Sequence, residues 1–237
     1  MRIRLAVLVM IASLVSAPHA GAVPNATTGE GAGQTWTTFF DSGPLKGSGW
    51  ASCSEPVGVS IDMSKFFPAD VNRIDLALTK AVSLWSQQKQ ISFAFAGVIP
   101  VDYDTATGVI APHDGVARKR HIYIAFVSDA ESPQFSTSVV GLGEPTSVVQ
   151  GNLEITQAEA TFERDYVTSA SVPELVALFA HEFGHALGLG HSANKADVMY
   201  PIVRTAKHLG PGDIAAMQSI ARPCGVTIPS RDYPVAD

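Results

Sequence analysis

The hydrophobic residues follow two different periods along the chain from about Trp50 onwards. Between Val57 and Met63, apolar residues alternate with small or polar ones, which predicts a β-strand with one buried face. From Val71 to Trp85 the apolar residues recur every three or four positions, which predicts an amphipathic helix with Asp70 as its cap. The alternation returns from Ile91 to Phe95 and predicts a second strand.

Further segments complete the predicted sheet. The run HIYIAFV, from His121 to Val127, is apolar enough to lie at the centre of a sheet. Residues 138–149 and 153–162 have weaker patterns and are predicted to be shorter edge strands, and residues 97–119 form a loop or a hairpin. The order strand, helix, strand, strand and then helices favours an α+β domain, with a mixed sheet covered by helices.

The strongest helix signal lies between Ser171 and Gly188. Ser171 and Glu174 have the spacing of a capping box, and Pro173 is tolerated in a first helical turn. Apolar residues on several sides of this segment predict a deeply buried helix. We expect it to end just before Gly188, because glycine can adopt the left-handed conformation that terminates helices.

The end of this helix carries residues with metal-binding chemistry. His181 and His185 are four residues apart, so both imidazoles lie on one face and can reach one point. A single buried histidine is more often a hydrogen-bonded core residue, but His-Glu-x-x-His is the pattern in which two histidines bind zinc. After the helix break at Gly188, the chain can turn back and place His191 as a third ligand. Three nitrogen ligands leave one tetrahedral position open for water, as in catalytic zinc sites.

Glu182 and Met199 complete this predicted site. Glu182 neighbours His181 and is not needed as a ligand, so its carboxylate can take a proton from a water that zinc activates. The same carboxylate can then pass the proton to a leaving amine. Met199 lies eight residues beyond His191, where a methionine on a tight turn can form an apolar floor under the metal. Ordinary core packing is the alternative for Met199.

The segment HEFGHALGLGH, followed by VMYP, resembles the active-site sequence of the metzincin metallopeptidases. It is most similar to the matrixins, the family of matrix-metalloproteinase-like catalytic domains, and weaker similarity extends from about Trp50 to Ala221. The resemblance implies a zincin fold with a twisted five-stranded mixed sheet, three helices and a methionine turn after the active-site helix. It also implies a catalytic domain at residues 50–224, followed by a C-terminal tail at residues 225–237.

For function, the resemblance implies a zinc-dependent endopeptidase with one catalytic zinc ion, acting as a monomer on protein or peptide substrates. An extended substrate would lie along the edge strand near Gly141, Leu142 and Gly143 by strand addition. The pocket for the residue after the cleaved bond would be lined by the active-site helix and a wall segment: His181, Ala177, Pro201, Ile202 and Val203. The small side chain near the pocket bottom, Ala177, implies room for a large apolar residue.

The chain departs from the family pattern at several positions. Gly190 stands where many relatives have an acidic residue, which does not remove a metal ligand. Thr161 stands where animal relatives have a histidine for a second, structural zinc, so we expect no structural zinc. Glu163 and Asp165 have the carboxylates that calcium prefers, and an ordinary surface position is the alternative for both.

Composition and charge restrict the cellular setting. The chain has 237 residues, 46% of them hydrophobic, which favours one domain. Its net charge of −6, with no run of like charge, argues against nucleic-acid binding.

The N-terminal segment predicts export. Arg2 and Arg4 precede an apolar run of about 11 residues and a small-x-small site at 20–22, which predicts a signal peptide at residues 1–22. The run is shorter than the roughly 20 residues of a membrane span. We therefore predict secretion to the extracellular space or the periplasm.

Residues 23–49 are rich in Gly, Ser and Thr and are predicted to be an N-terminal extension or a short pro-segment. An even cysteine count in an exported chain favours a disulfide between Cys53 and Cys224, with free buried thiols as the alternative. The family fold implies that the start of the domain lies near its last helix, which makes this bridge feasible. The segment RPCGV also resembles the inhibitory cysteine motif of relatives, with its first two residues swapped, so a Cys224 thiolate on the zinc is a further alternative.

Two other functions compete with the endopeptidase. A secreted zinc-bearing binding or adhesion protein without proteolytic activity would be expected to lack the glutamate, and Glu182 is present. A small-molecule hydrolase would use the same metal site in a closed cavity, whereas an open groove beside an edge strand favours a peptidase. The endopeptidase is therefore the favoured function.

Overall fold

The computed structural model describes residues 36–223, apart from short gaps at 53–54, 89–90, 117, 133, 136–138, 150 and 204–207. The predicted signal peptide, the C-terminal tail and both cysteines, Cys53 and Cys224, lie outside the described residues. The strands are β1 (Trp36–Thr38), β2 (Ala51–Ser52), β3 (Val57–Ile61), β4 (Phe93–Val98), β5 (Val101–Tyr103), β6 (Ile110–Pro112), β7 (His121–Val127), β8 (Gly141–Val149), β9 (Glu154–Glu163), β10 (Leu189–Ser192) and β11 (Arg222–Pro223). The helices are α1 (Pro68–Ser86), α2 (Arg164–Ser169), α3 (Val172–Ala186) and α4 (Pro211–Ile220). None of these helices has the length and apolar character that a bilayer span requires.

Five strands form the central sheet in the order β4-β3-β7-β9-β8. The first four run parallel to one another, and β8 is antiparallel to β9. Every residue of β7 is buried, as expected for a strand that is covered on both faces. The mixed five-stranded sheet confirms the predicted α+β fold, and β8 lies at an edge of the sheet as predicted.

The position of β9 differs from the predicted shorter edge strand. β9 has ten residues and lies between β7 and β8. Two polar side chains of β9 are hydrogen-bonded to another segment of the chain, which covers this strand, instead of facing solvent. The Glu159 carboxylate accepts from the Ile110 N–H at 2.9 Å, and the Gln157 amide donates to the Arg118 carbonyl at 2.8 Å. The covering segment lies within residues 97–119, predicted to be a loop or a hairpin, and contains the antiparallel hairpin of β5 and β6.

Helices α1 and α3 pack against each other over one face of the sheet. α1 has the predicted apolar period, and its buried residues include Ile74, Leu78 and Trp85. The Trp85 indole N–H donates to the Ala180 carbonyl of α3 at 3.0 Å, so the two helices are also joined by a buried hydrogen bond. With α4 these are the longer helices of the described part, and the six-residue α2 is an addition to the expected three.

The start of α1 differs from the prediction. Phe67 occupies the capping position, and Pro68 lies in the first turn, where its missing N–H leaves no helical bond unmade. Asp70 lies inside this turn, and its carboxylate pairs with Arg73 at 3.0 Å. The prediction of Asp70 as the cap was therefore wrong, because the proline starts the helix earlier.

Part of the predicted N-terminal extension packs against the domain. β1 pairs with β10 in an antiparallel ladder. The Gly49 carbonyl accepts from the Ile155 N–H at 2.9 Å, which joins the end of the extension to β9. The next residue, Trp50, is 1% exposed, and its indole N–H donates to the Ala186 carbonyl at 3.0 Å. Residues 36–49 are therefore held by backbone contacts that their composition did not indicate.

The buried histidine of β7 predicts a pH-dependent stability. His121 is 4% exposed, its Nε2 lies 2.8 Å from the Ser60 hydroxyl, and burial lowers its pKa to about 4 from the ordinary 6.5. Between these pH values the unfolded chain binds a proton at His121 that the native state does not bind, so acidification lowers the free energy of unfolding. We expect the loss between pH 7 and about pH 4.5 to be smaller in His121→Gln, because glutamine binds no proton, as measured by urea unfolding of the metal-free protein.

The exposed His113 provides the matched control. The Asp102 carboxylate lies 2.9 Å from its Nδ1 and raises its pKa, so the native state binds this proton more tightly than the unfolded chain. His113→Gln removes a stabilisation at low pH and cannot reduce the loss on acidification. A His121→Gln variant with the wild-type pH difference would contradict the prediction.

Candidate metal centre

Helix α3 begins and ends at the predicted signals. The Glu174 carboxylate accepts a hydrogen bond from the Ser171 N–H at 2.8 Å, as a capping box requires of its glutamate, and it also accepts from the Ser171 hydroxyl at 2.6 Å. The helix ends at Ala186, and Gly188 has a φ of +100°, in the left-handed region expected there. A Cβ at Gly188 would also lie 2.9 Å from the Ser48 carbonyl oxygen, so this position needs glycine for space as well as for conformation.

α3 and β10 bring three imidazoles together. His181 and His185 lie one turn apart on α3, and His191 lies on β10. The ring centroids are between 4.8 Å and 5.4 Å apart, and one nitrogen of each ring lies within 4.8 Å of the other two. His181 is buried, His185 is half-buried and His191 is exposed. The three nitrogens can therefore hold one metal ion that stays accessible from solvent.

Backbone carbonyls orient two of the rings. His181 Nδ1 lies 2.8 Å from the Val198 carbonyl oxygen, and His185 Nδ1 lies 2.8 Å from the Leu189 carbonyl oxygen. A carbonyl only accepts, so each Nδ1 carries the hydrogen and each Nε2 keeps a free lone pair. Metal-binding histidines almost always have such a partner on the second ring nitrogen. The described residues therefore fit a zinc ion bound by nitrogen ligands.

Burial keeps the three imidazoles neutral. It lowers the pKa of His181 to about 4 and the pKa of His185 well below the ordinary value, with a smaller contribution from the neighbouring histidines. His191 is exposed at its outer side, but partial loss of solvation beside the other two rings also lowers its pKa. Neutral imidazole is the form that binds a metal, so no proton has to be released from these rings near neutral pH.

Glu182 lies beside the histidines on α3, against the edge strand β8. Glu182 is 5% exposed, and burial raises its pKa to about 8, although a hydrogen bond from the Gly143 N–H acts in the opposite direction. Two glycines allow β8 to come this close. A Cβ at Gly141 would lie 2.8 Å from Glu182 Oε1, and a Cβ at Gly143 would collide with the Glu182 backbone carbonyl. The sequence singled out both glycines for substrate binding, but not for this contact with the carboxylate.

The turn after β10 lies under α3 and is held by one carboxylate. Met199 is 1% exposed, and a Cβ at Gly184 would collide with its sulfur, so the thioether lies against the helix turn between the two histidines of α3. The Asp213 carboxylate accepts from the Met199 N–H at 3.0 Å and from the Val198 N–H at 2.7 Å. Sequence analysis missed Asp213. The feature that could have identified it is an acidic residue in the first turn of α4, where backbone N–H groups have no partner within the helix.

The remaining predicted pocket residues lie on two segments near this centre. Ala177 is buried one helical turn before the first histidine. Pro201 and Ile202 are exposed, and Val203 packs against the core. The wall segment continues into residues 204–207, which lie outside the described residues.

Glu163, one of the two residues considered as possible calcium ligands with Asp165, has a structural role. The Glu163 carboxylate accepts from the Asp165 N–H at 3.0 Å and from the Tyr166 N–H at 2.5 Å, and so caps α2. These bonds explain an acidic residue at this position without a metal. Thr161 is buried on β9. In the described part of the chain, the histidine triad is the group with metal-binding geometry.

The amino-acid sequence of this chain is similar to the sequences of known proteins. A sequence model of the matrixin family matches residues 59–221 of the chain. Matrilysin of Mus musculus is 32% identical over 140 residues, which are 57% of this chain and 45% of matrilysin. The metalloendoproteinase 4-MMP of Arabidopsis thaliana is 28% identical over 160 residues, which are 65% of this chain and 40% of that protein. Stromelysin-1 of Rattus norvegicus is 35% identical over 75 residues, which are 29% of this chain and 16% of that protein.

The chain thus spans less than half the length of each of these relatives. The family match, in contrast, includes helix α3, β10, the turn at Met199 and α4. Because this match covers more than half of the residues, the chain belongs to the matrixin family.

Proposed function

We propose that this chain is a secreted zinc-dependent endopeptidase that cleaves extended protein substrates. The observation that carries the proposal is the convergence of three neutral imidazoles beside the buried Glu182 carboxylate, in a chain of the matrixin family. Export would depend on residues 1–22, the predicted signal peptide. Peptide hydrolysis needs an activated water, a polarised carbonyl and a proton acceptor, and this site has a candidate for each.

His181, His185 and His191 are the proposed zinc ligands. When bound, zinc supplies a Lewis acid that polarises the substrate carbonyl and lowers the pKa of a bound water to about 7. The protein contributes neutral, oriented rings. The Val198 and Leu189 carbonyls orient two of them, and the buried methionine of the following turn supports the helix from below.

Glu182 is proposed to carry the proton through the reaction. Its carboxylate oxygen takes a proton from the attacking water and then gives this proton to the nitrogen of the leaving amine. Burial raises the pKa of Glu182 to about 8 in the metal-free protein, and a nearby cation lowers it. Burial favours the protonated form of this carboxylate and a cation favours the ionised form, so both forms are accessible to a group that accepts and then returns a proton.

The substrate is proposed to bind as an extended chain along β8. Gly141, Leu142 and Gly143 lie at the start of this edge strand, and the two glycines are in contact range of Glu182. A peptide that adds to the edge gains main-chain hydrogen bonds and places its backbone along the metal centre. The pocket for the residue after the cleaved bond is proposed to be formed by Ala177, Pro201, Ile202 and Val203.

Glu182→Gln tests the proton-transfer role. Glutamine has the same size but cannot accept the proton, so we expect kcat/KM for a quenched fluorescent protein substrate to fall by about 10²- to 10⁴-fold. Zinc content, measured by atomic absorption, should stay unchanged. Glu55→Gln removes an exposed carboxylate and is the matched control, which should keep wild-type activity. A wild-type chain that binds zinc but cleaves nothing, and stays inactive in Cys224→Ser and without residues 23–35, would instead support the binding or adhesion protein.

Substrate length distinguishes an endopeptidase from a small-molecule hydrolase. An octapeptide can pair with β8 on both sides of the cleaved bond, whereas an acylated dipeptide amide cannot. Two or more added hydrogen bonds, each worth about 1 kcal/mol net, should raise kcat/KM by about tenfold or more. The same octapeptide with N-methyl groups away from the cleaved bond should lose most of this gain. Equal rates for the short and long substrates would favour the small-molecule hydrolase.

We also propose that Cys53 and Cys224 form a disulfide. Both cysteines lie outside the described residues, but the residues directly before them form a parallel ladder that pairs Ala51–Ser52 with Arg222–Pro223. Thiol titration of the wild type should find no free thiol, and Cys224→Ser should lower the free energy of unfolding by about 2–4 kcal/mol. A free Cys53 thiol in the wild type, together with higher activity in Cys224→Ser, would support Cys224 as an inhibitory zinc ligand instead.

A further inference from the structure

β1 belongs to the predicted N-terminal extension and pairs with β10, the strand that carries His191. The antiparallel ladder pairs Trp36–Thr38 with Leu189–Ser192. At the middle of β1, the Thr37 hydroxyl donates to the His191 backbone carbonyl at 3.0 Å. The extension is therefore bonded directly to the main chain of the third histidine.

The chain after β1 stays against the metal centre. The Phe39 N–H donates to the Gly188 carbonyl at 2.7 Å, and the Phe39 ring lies edge-on to His185 with 6.3 Å between the centroids. The chain then turns back, and the Phe40 carbonyl accepts from the Gly47 N–H at 3.0 Å. The extension thus contacts two of the three histidines.

Gly190 provides the space that β1 occupies. A Cβ at Gly190 would collide with Thr37 Oγ1 and would lie 2.8 Å from the Thr38 carbonyl oxygen. Gly190 is not among the glycines with a positive φ, so its own backbone conformation does not require glycine. The close passage of β1 is therefore the reason for glycine at this position, and any larger side chain would displace β1.

His191 depends on such support more than the other two histidines do. His181 and His185 lie on a buried helix and have carbonyl partners at Nδ1, whereas His191 is exposed on a four-residue strand. Within the described residues, β10 has no ladder partner other than β1. The flanking Leu189 carbonyl and Ser192 N–H have other partners, His185 and the Met199 carbonyl. Without β1, the backbone at His191 itself would be less ordered before metal binds, and the additional entropy lost would weaken binding.

We propose that β1 is a positioning element of the metal centre, in which the Thr37 hydroxyl holds the main chain of His191 and Gly190 makes room for it. The inference rests on the proposed function, because it takes His191 as a zinc ligand. It follows that residues 36–40 belong to the active protein and that any removable pro-segment ends before Trp36.

Thr37→Val, made in the full chain, keeps the shape of the side chain and removes its hydrogen bond to His191. We expect the zinc dissociation constant to rise by about tenfold, the lower end of the effect of outer-shell partners. Competition with a chromogenic zinc chelator at neutral pH measures this constant. Thr168→Val is the matched control, because the exposed Thr168 hydroxyl also donates to a backbone carbonyl, that of Arg164 at 2.9 Å, but lies on α2, outside β1 and β10, and should leave zinc affinity unchanged when removed.

Gly190→Ala tests the same contact from the opposite side. The added methyl group displaces β1, so zinc affinity should fall here too. Thr37→Ala removes Thr37 Oγ1, the atom nearest to the methyl group of Gly190→Ala. The variant that combines Gly190→Ala with Thr37→Ala should therefore lose less zinc affinity than the product of the two single-variant losses. Losses that multiply would show that the two positions act independently and would overturn the proposal.

Hydrogen exchange supplies a readout that needs no catalysis. Because coupling between two sites is reciprocal, zinc should slow amide exchange in residues 36–40 of the wild type and slow it less in Thr37→Val. A variant that was only less stable would exchange faster throughout the chain. Wild-type zinc affinity and wild-type protection in Thr37→Val would overturn this inference and leave the peptidase proposal intact, whereas a wild-type chain that binds no zinc would overturn both.

Discussion

The structure depends on the pairing of polar side chains that are buried on an otherwise apolar helix. Imidazole and carboxylate groups on α3 cost free energy when buried unless each has a hydrogen-bond partner. The partners come from three separate segments: the Val198 carbonyl in the turn, the Leu189 carbonyl in β10 and the Gly143 N–H in β8. Each partner ties its own segment to α3. The polar groups therefore determine how the turn and both strands are arranged around one point.

Close backbone approach is the second requirement of this arrangement. Gly184 leaves room for the Met199 sulfur, and Gly143 lets β8 pass the Glu182 carbonyl. A methyl group at either position would collide with these atoms. Glycine inside a helix costs about 1 kcal/mol relative to alanine, and at Gly184 this cost is offset by the packing of the turn beneath the histidines. The apolar floor and the edge strand can therefore both lie in contact with the helix.

The predictable parts of this structure are those with a strong local signal. Alternation located β3, the three-to-four spacing located α1 and a continuous apolar run located β7, and the capping box with Gly188 located both ends of α3. The missed parts depend on residues that are distant in sequence. β9 resembled an edge strand because nothing near Glu159 indicates the hairpin above it. Asp213 bonds a backbone N–H that lies 15 positions away, and the three-residue β1 is too short to show a period.

The candidate metal centre joins the start of the described chain to a strand late in the sequence. Thr37 and His191 are 154 positions apart, and β2 pairs with β11 as a second contact between early and late segments. A catalytic site with three protein ligands has fewer bonds of its own than a four-ligand structural site, so it depends more on the surrounding chain for rigidity. Contacts that order His191 before metal binds lower the entropy cost of binding, and bound metal stabilises the same contacts in return. Pairing of β1 with β10 and formation of the proposed metal centre are then one coupled process, to which a segment with the composition of a linker contributes directly.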